Sequence, residues 1–242
     1  CENIKKGNER VLRARLADAE FFIKTDLSIS SEKRRTQLNK VTFAQGLGSL
    51  LDRVSRIQWL TDKLIEKISL KESDIAAAKK AAYFSKNDLI SNMVGEFPEL
   101  QGIMGGKYLL AERKNSDIAL AVIEQYLPKT TGGELPKSDP GSILALAERL
   151  ELLLSIFSKG ERPTGSSDPY ALRRAANGIL QILWAKSWDL NLIFLLKECI
   201  NKWESILKEL KIDSIELLRE ISEFFRFRII SLLEDESIDN DI

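Results

Sequence analysis

Apolar residues recur at three- and four-residue steps along nearly the whole chain, and no stretch alternates in the manner of a strand, so the pattern predicts helices throughout. In residues 49–69, Leu50, Val54, Ile57, Leu60 or Thr61, Leu64 and Ile68 form one stripe, which predicts a long amphipathic helix with that stripe buried. Ser73 is placed to cap a helix through Ile75, Ala78 and Ala82, whose small side chains admit a close neighbour, and Ser116 to cap residues 118–126. Residues 142–157, SILALAERLELLLSIF, make the most hydrophobic helix. Asp213 and Glu216 have the spacing of a capping box for residues 215–233, where Leu217, Ile221, Phe224 or Phe225, Arg228 and Leu232 keep helical register.

Two stretches interrupt this pattern as long loops, residues 128–140 and 158–168, both rich in Gly, Pro and small polar residues and both suited to border a ligand. After the second, Asp168 reads as an N-cap and Pro169 as the first helical residue, with Ala171, Leu172, Ala175, Ala176 and Ile179 as the apolar stripe. One turn in lie Arg173 and Arg174, which are open to holding phosphate, pairing with a carboxylate or standing in solvent. Adjacent helical residues point about 100° apart. One arginine is therefore expected to face inward, paired with Asp52 or Glu148, and the other outward.

Three blocks carry a resemblance: GNERVLRARLADAEFF at residues 7–22, NMVGEFPELQGIMGGKY at 92–108, and KGERPTGSSDPYALRRAANGIL at 159–180. LPKTTGGELP at 127–136 and the hydrophobic helix at 142–157 agree with them. In this order, over roughly three quarters of its length, the chain resembles the beta subunit of the bacterial two-subunit glycyl-tRNA synthetase, and the likeness thins after Lys186.

The resemblance implies a subunit that grips tRNA(Gly) while a separate alpha subunit holds the catalytic core for glycine and ATP, with two alpha and two beta chains in the complete enzyme. ATP and Mg2+ would belong to that enzyme, and no cofactor to this piece. The piece is expected to be an internal slice, in keeping with a start at Cys1 in a polar run and an end at EDESIDNDI. The expected fold is all-α, a multi-helix orthogonal bundle resembling a degenerate HD domain without a metal site. Residues 1–186 would form that HD-like domain, and residues 187–242 further helices leading toward the next region.

The HD phosphohydrolase likeness of the family's central region brings its own expectation. Such folds bind one or two metals through His and Asp on successive helices, yet this chain has no histidine. Where the His-Asp dyad would fall stand Ser85 and Lys86, and the late aspartate of that pattern is matched by Glu148. A protonated lysine amine repels a divalent ion, so the expected relative is catalytically silent, with no catalytic residue and no metal ligand. Asp88, Glu96 and Glu99 read as structural carboxylates. Gly102, Gly105 and Gly106 read as close helix packing and a left-handed turn, since no strand precedes them and no Lys-Ser or Lys-Thr follows.

Composition adds limits. The chain is 44% hydrophobic and 30% charged, and no apolar run reaches the roughly 20 residues a membrane span needs. Cys1 and Cys199 lack metal-site spacing, which suits a reducing, cytoplasmic setting. Thirty-six basic and 36 acidic residues cancel, which argues against nucleic-acid binding over the whole surface and gives no sign of a DNA partner.

Charge is nonetheless uneven, with basic excess in residues 1–15 and 31–40 and five acids among the last twelve residues. The residues expected to face tRNA are Arg10, Arg13 and Arg15 from the first patch, Lys33, Arg34 and Arg35 from the second, and Lys159, Arg162, Arg173 and Arg174 near the second loop. The alternative is a helical module that binds protein and not RNA, using these patches together with Trp59, Trp184, Trp188 and Trp203. Tryptophans at helical spacing are more often core.

Overall fold

The computed structural model describes residues 2–239, with side chains from residue 4 to residue 234, so Cys1 and most of the acidic tail lie outside the described residues. Helices follow one another as α1 (Glu2–Leu27), α2 (Ser31–Gln37), α3 (Leu50–Lys67), α4 (Glu72–Phe84), α5 (Asn92–Glu96), α6 (Ile103–Ala111), α7 (Ser116–Glu124), α8 (Asp139–Ser158), α9 (Leu172–Lys186), α10 (Leu192–Lys202), α11 (Glu204–Leu210) and α12 (Ser214–Asp239). Among the described residues the only β pairing is two isolated bridges, Thr42 with Ser49 and Thr164 with Ser167. The fold is all-α.

Cap chemistry sets the helix starts, and it moves several of them from where the sequence pattern puts them. Ser49 and Asp52 form a reciprocal box at α3. At α4 the cap position is Lys71, which leaves Ser73 inside the first turn. Asn115 caps α7 by accepting from the Asp117 N–H at 2.6 Å, so Ser116 is already helical. Ser138 caps α8, which therefore takes Asp139 and Pro140 from the end of the long loop. Asp213 Oδ1 accepts from the Ile215 and Glu216 N–H groups, but Glu216 pairs with Arg219, so only half of the expected box forms at α12.

Asp168 acts at a distance. Its carboxylate accepts from the Leu172 and Arg173 N–H groups at 2.8 and 2.9 Å, across a turn that ends at Ala171 with φ of 55°. Pro169 lies in that turn and not in the helix. The N-cap position is thus Ala171 and not Asp168, whose carboxylate serves the first helical amides from three residues upstream, because the left-handed Ala171 delays the helix start.

Helix α8 is the axis of the molecule and packs against α3, α4, α7 and α9. Every residue from Pro140 to Ser158 except Leu152 is buried, so α8 has no solvent face and its charged residues must find partners inside. A single apolar cluster runs from Ile57 and Leu64 of α3 through Leu146 and Leu153 of α8 to Leu195, Trp203, Leu217 and Phe225. The helices after Lys186 therefore share one core with those before it. Trp203 is buried against Trp59 with ring centroids 5.9 Å apart, whereas Trp184 is exposed.

The α6–α7 contact explains the glycines. Gly102 has φ of 80°, and a Cβ on Gly106 would meet the Ile123 side chain and lie 2.6 Å from the Ala119 carbonyl oxygen. Backbone does not yield as a flexible side chain does. Gly106→Ala is expected to destabilise the chain by about 1–3 kcal/mol, read as a lower urea midpoint with unchanged slope. An unshifted midpoint would mean that α6 and α7 do not pack this closely.

Candidate functional site

Chemistry concentrates where α4 stops. The chain turns through Ser85 into Lys86, which has a left-handed backbone with φ of 66°, and residues 85–88 are fully buried. That turn aims the lysine inward. Lys86 Nζ donates to Glu148 Oε1 of α8 at 2.9 Å and to the Tyr126 hydroxyl oxygen at 2.8 Å. From α3, Arg53 Nη2 donates to the same Glu148 Oε1 at 2.9 Å, and its Nε donates to Glu151 Oε2 at 2.6 Å. Arg56 Nε and the Ser155 hydroxyl both donate to Glu151 Oε1, at 2.9 and 2.6 Å.

Two cations therefore share one oxygen of Glu148. Burial alone would raise that carboxyl, but Lys86 and Arg53 outweigh it and hold it down at about 2. Lys86 has the weaker half of the arrangement: burial pushes its amine down to about 8, Glu148 opposes the fall, and the neighbouring Arg53 adds to it. Arg53, gripped by both Glu151 and Glu148, is held protonated more firmly than usual in spite of burial. The group nearest to being metal-like in this cluster is the ammonium itself. A divalent ion at Glu148 would meet two positive side chains already bonded to its Oε1 at 2.9 Å, and no histidine is present to share the ion, so these residues do not fit one.

Asp88 is also buried, and its Oδ2 accepts from the Gly102 and Gly105 N–H groups at 2.6 and 2.9 Å. Burial raises its carboxyl against the pull of these amides. It organises the turn before α6, which is the structural role its sequence context suggested. Glu96 is exposed on α5 and Glu99 exposed after Pro98, and the three form no shared site.

Beside the network opens a cleft of about 550 Å³, with Glu148 and Tyr126 at its wall, Pro128 and Lys129 from the first long loop, and Tyr170, Ala171 and Arg174 from beyond the second. Arg149 also lines it, fixed by donating to the Gln125, Ala145 and Pro128 carbonyl oxygens at 3.2, 3.0 and 3.0 Å. The first long loop therefore borders this cleft as expected, whereas residues 158–168 of the second contribute none of its lining.

The residues expected to face RNA separate into three kinds. Arg10, Arg13 and Lys33 are exposed and form no ion pair among the described residues. Arg15 lies 3.5 Å from Glu96 and over the Phe97 ring, and Arg162 pairs with Glu220 while donating to the Phe157 carbonyl at 2.6 Å. Arg35 stacks on Tyr83 and donates to the Tyr83 carbonyl and to Gln58. Arg34 corrects the expectation outright: it is 2% exposed, donates to the Asp26 and Ile29 carbonyls at 2.6 Å and lies over the Tyr108 ring, so it presents nothing to a phosphate.

Arg173 and Arg174 are corrected differently, because neither faces the core. Arg173 is half-buried, and Arg174 is exposed and donates to the Lys129 carbonyl at 3.1 Å. Asp52 caps its own helix, and Glu148 is held by Lys86 and Arg53. Sequence reading overlooked Arg53, Arg56, Arg149 and Glu151. The signal was there in ALAERLELL, where three charges in four residues sit inside a helix with no polar face to carry them.

Over residues 1–242 the chain matches the family described as glycyl-tRNA synthetase beta subunit. It is 44% identical over 240 residues to the glycine–tRNA ligase beta subunit of Acaryochloris marina (99% of this chain, 33% of that protein) and 43% identical over 242 residues to that of Trichodesmium erythraeum (100% and 33%). Against the Bacillus subtilis beta subunit it is 39% identical over 241 residues, covering 100% of this chain and 33% of that protein. The chain thus spans about a third of the length of the curated relatives it matches. A match along its whole length and identities near two in five show that the chain belongs to the glycyl-tRNA synthetase beta subunit family.

Proposed function

We propose that the chain is a structural and tRNA-contacting part of a cytoplasmic glycine–tRNA ligase, an HD-like helical scaffold in which Lys86 replaces metal chemistry, while ATP- and Mg2+-dependent attachment of glycine to tRNA(Gly) takes place in the alpha subunit. The carrying observation is a division of labour among the cations. Arg34, Arg53, Arg149 and Lys86 are buried and bonded within the fold, whereas Arg10 and Arg13 project from the long helix α1 with no acidic partner among the described residues. Such unpaired surface cations suit A-form RNA, which is met largely through phosphates and shape. Among the described residues no helix is long and apolar enough to cross a membrane.

In the complete beta subunit, an Arg10→Ala/Arg13→Ala variant is expected to bind tRNA about three- to tenfold more weakly at low salt, with the slope of log K against log salt flattened by about one to two. Unchanged affinity and slope would remove the RNA-contact clause. A second reading, in which α1 docks on another protein surface, draws support from Val11, Leu12, Leu16 and Phe21, which are 58–69% exposed on the same helix. It expects the same variant to leave the salt slope untouched.

A further inference from the structure

The cleft beside Lys86 has a built interior that the scaffold role does not use. Among the described residues both side-chain hydrogen bonds that Glu148 receives land on Oε1, and Glu148, 6% exposed, forms part of the cleft wall. Its second carboxylate oxygen is thereby left for a donor that enters the cleft. The carboxylate stays ionised at neutral pH, held there by its two cations.

At the rim stand Lys129, which forms no ion pair among the described residues, and Arg174, which is exposed and donates to the Lys129 carbonyl. Glu99 is the rim's one acid against these two cations. Tyr170, 38% exposed, offers a ring face with the Lys159 amine 5.9 Å from its centroid. The volume, about 550 Å³, lies in the range of small-ligand sites.

A fixed anionic acceptor at the wall calls for a hydroxyl or amine donor. The rim cations call for an anion, and the tyrosine for a flat ring. One chemical unit carries all three. We infer that this cleft binds a single ribonucleotide, with its phosphate at Lys129 and Arg174, its ring on Tyr170 and a sugar hydroxyl donating to Glu148 Oε2. The unit has two possible sources, a free nucleoside monophosphate or an unstacked nucleotide of an RNA strand. For the second source the inference rests on the tRNA-contacting role proposed above.

The test is equilibrium dialysis of the complete beta subunit against the four ribonucleoside 5′-monophosphates, inorganic phosphate, and the 2′,3′-dideoxy form of the tightest nucleotide. One ribonucleotide is expected to saturate a single site, with Arg174→Ala weakening it about tenfold and the dideoxy form binding about fivefold more weakly. Inorganic phosphate is expected to bind at least about tenfold more weakly than the nucleotide. Arg174 is exposed, so its removal leaves the core intact, which an unchanged melting curve verifies.

Three results overturn the inference: no saturable nucleotide binding, binding indifferent to Arg174→Ala, or inorganic phosphate binding as tightly as the nucleotide. Displacement of the bound nucleotide by tRNA assigns the site to an RNA strand, and persistence in its presence assigns it to the free nucleotide; both uphold the site. An empty cleft together with an intact salt effect at Arg10 and Arg13 removes the cleft alone. A filled cleft with no salt effect removes the α1 contact alone.

Discussion

Glu148→Ala is expected to cost the chain about 3–5 kcal/mol, because it leaves two buried cations, Lys86 and Arg53, without the carboxylate they share. Arg53 keeps Glu151, while Lys86 keeps only the Tyr126 hydroxyl, so the amine bears most of the loss. Glu148→Gln retains an acceptor but not the charge, and a smaller loss is expected from it. The wild-type carboxyl is held at about 2, below the ordinary value near 4.3. The sign follows: above about pH 4.5 its contribution is complete, and it falls away as acid approaches pH 2 because the unfolded chain binds the proton first. Urea unfolding between pH 2 and 7 measures both effects. A Glu148→Ala loss below about 1 kcal/mol, or the same acid profile in wild type and Glu148→Gln, would show that the network does not depend on this carboxylate.

That network also marks the boundary of what the sequence makes legible. The helices were visible in the spacing of Val54, Ile57 and Leu64, and the left-handed and close-packed glycines in their clustering at 102–106, because both signals are local. Helix starts shifted by a few residues where two capping side chains compete, as with Asn115 and Ser116. Ion pairing is a different matter. Arg53 and Glu151 are 98 residues apart, and only the packing of α3 on α8 brings them to 2.6 Å. Arg34 looked like one member of a solvated basic run, and the short α2 instead turns it onto Tyr108 and two carbonyls. Charge runs record composition. They do not record which member of the run faces the core.

Lys86 carries the clearest pH signature, and its sign is opposite to that of a lysine gaining a salt bridge. Its amine is depressed to about 8 in the fold against about 10.4 in the unfolded chain. Below pH 8 both states carry the proton and the fold bears the whole cost of a buried ammonium crowded by Arg53. Between about 8 and 10.4 the folded chain releases the proton while the unfolded chain keeps it, so this group makes stability rise with pH, by about 3 kcal/mol across the window. The groups facing it are Arg53 from α3, Glu148 from α8, and Tyr126 and Asp88 beside it. Tyr126 and Cys199, both raised by burial, release their protons later in the fold than in the unfolded chain and so pull the other way above their ordinary values. The difference between wild type and Lys86→Met isolates the lysine. The variant is expected to match or exceed wild-type stability at pH 7, since Arg53 still neutralises Glu148, and to lose that advantage by pH 10.5. If the difference curve stays flat from pH 7 to 10.5, the ammonium is not under the strain that its burial beside a second cation implies.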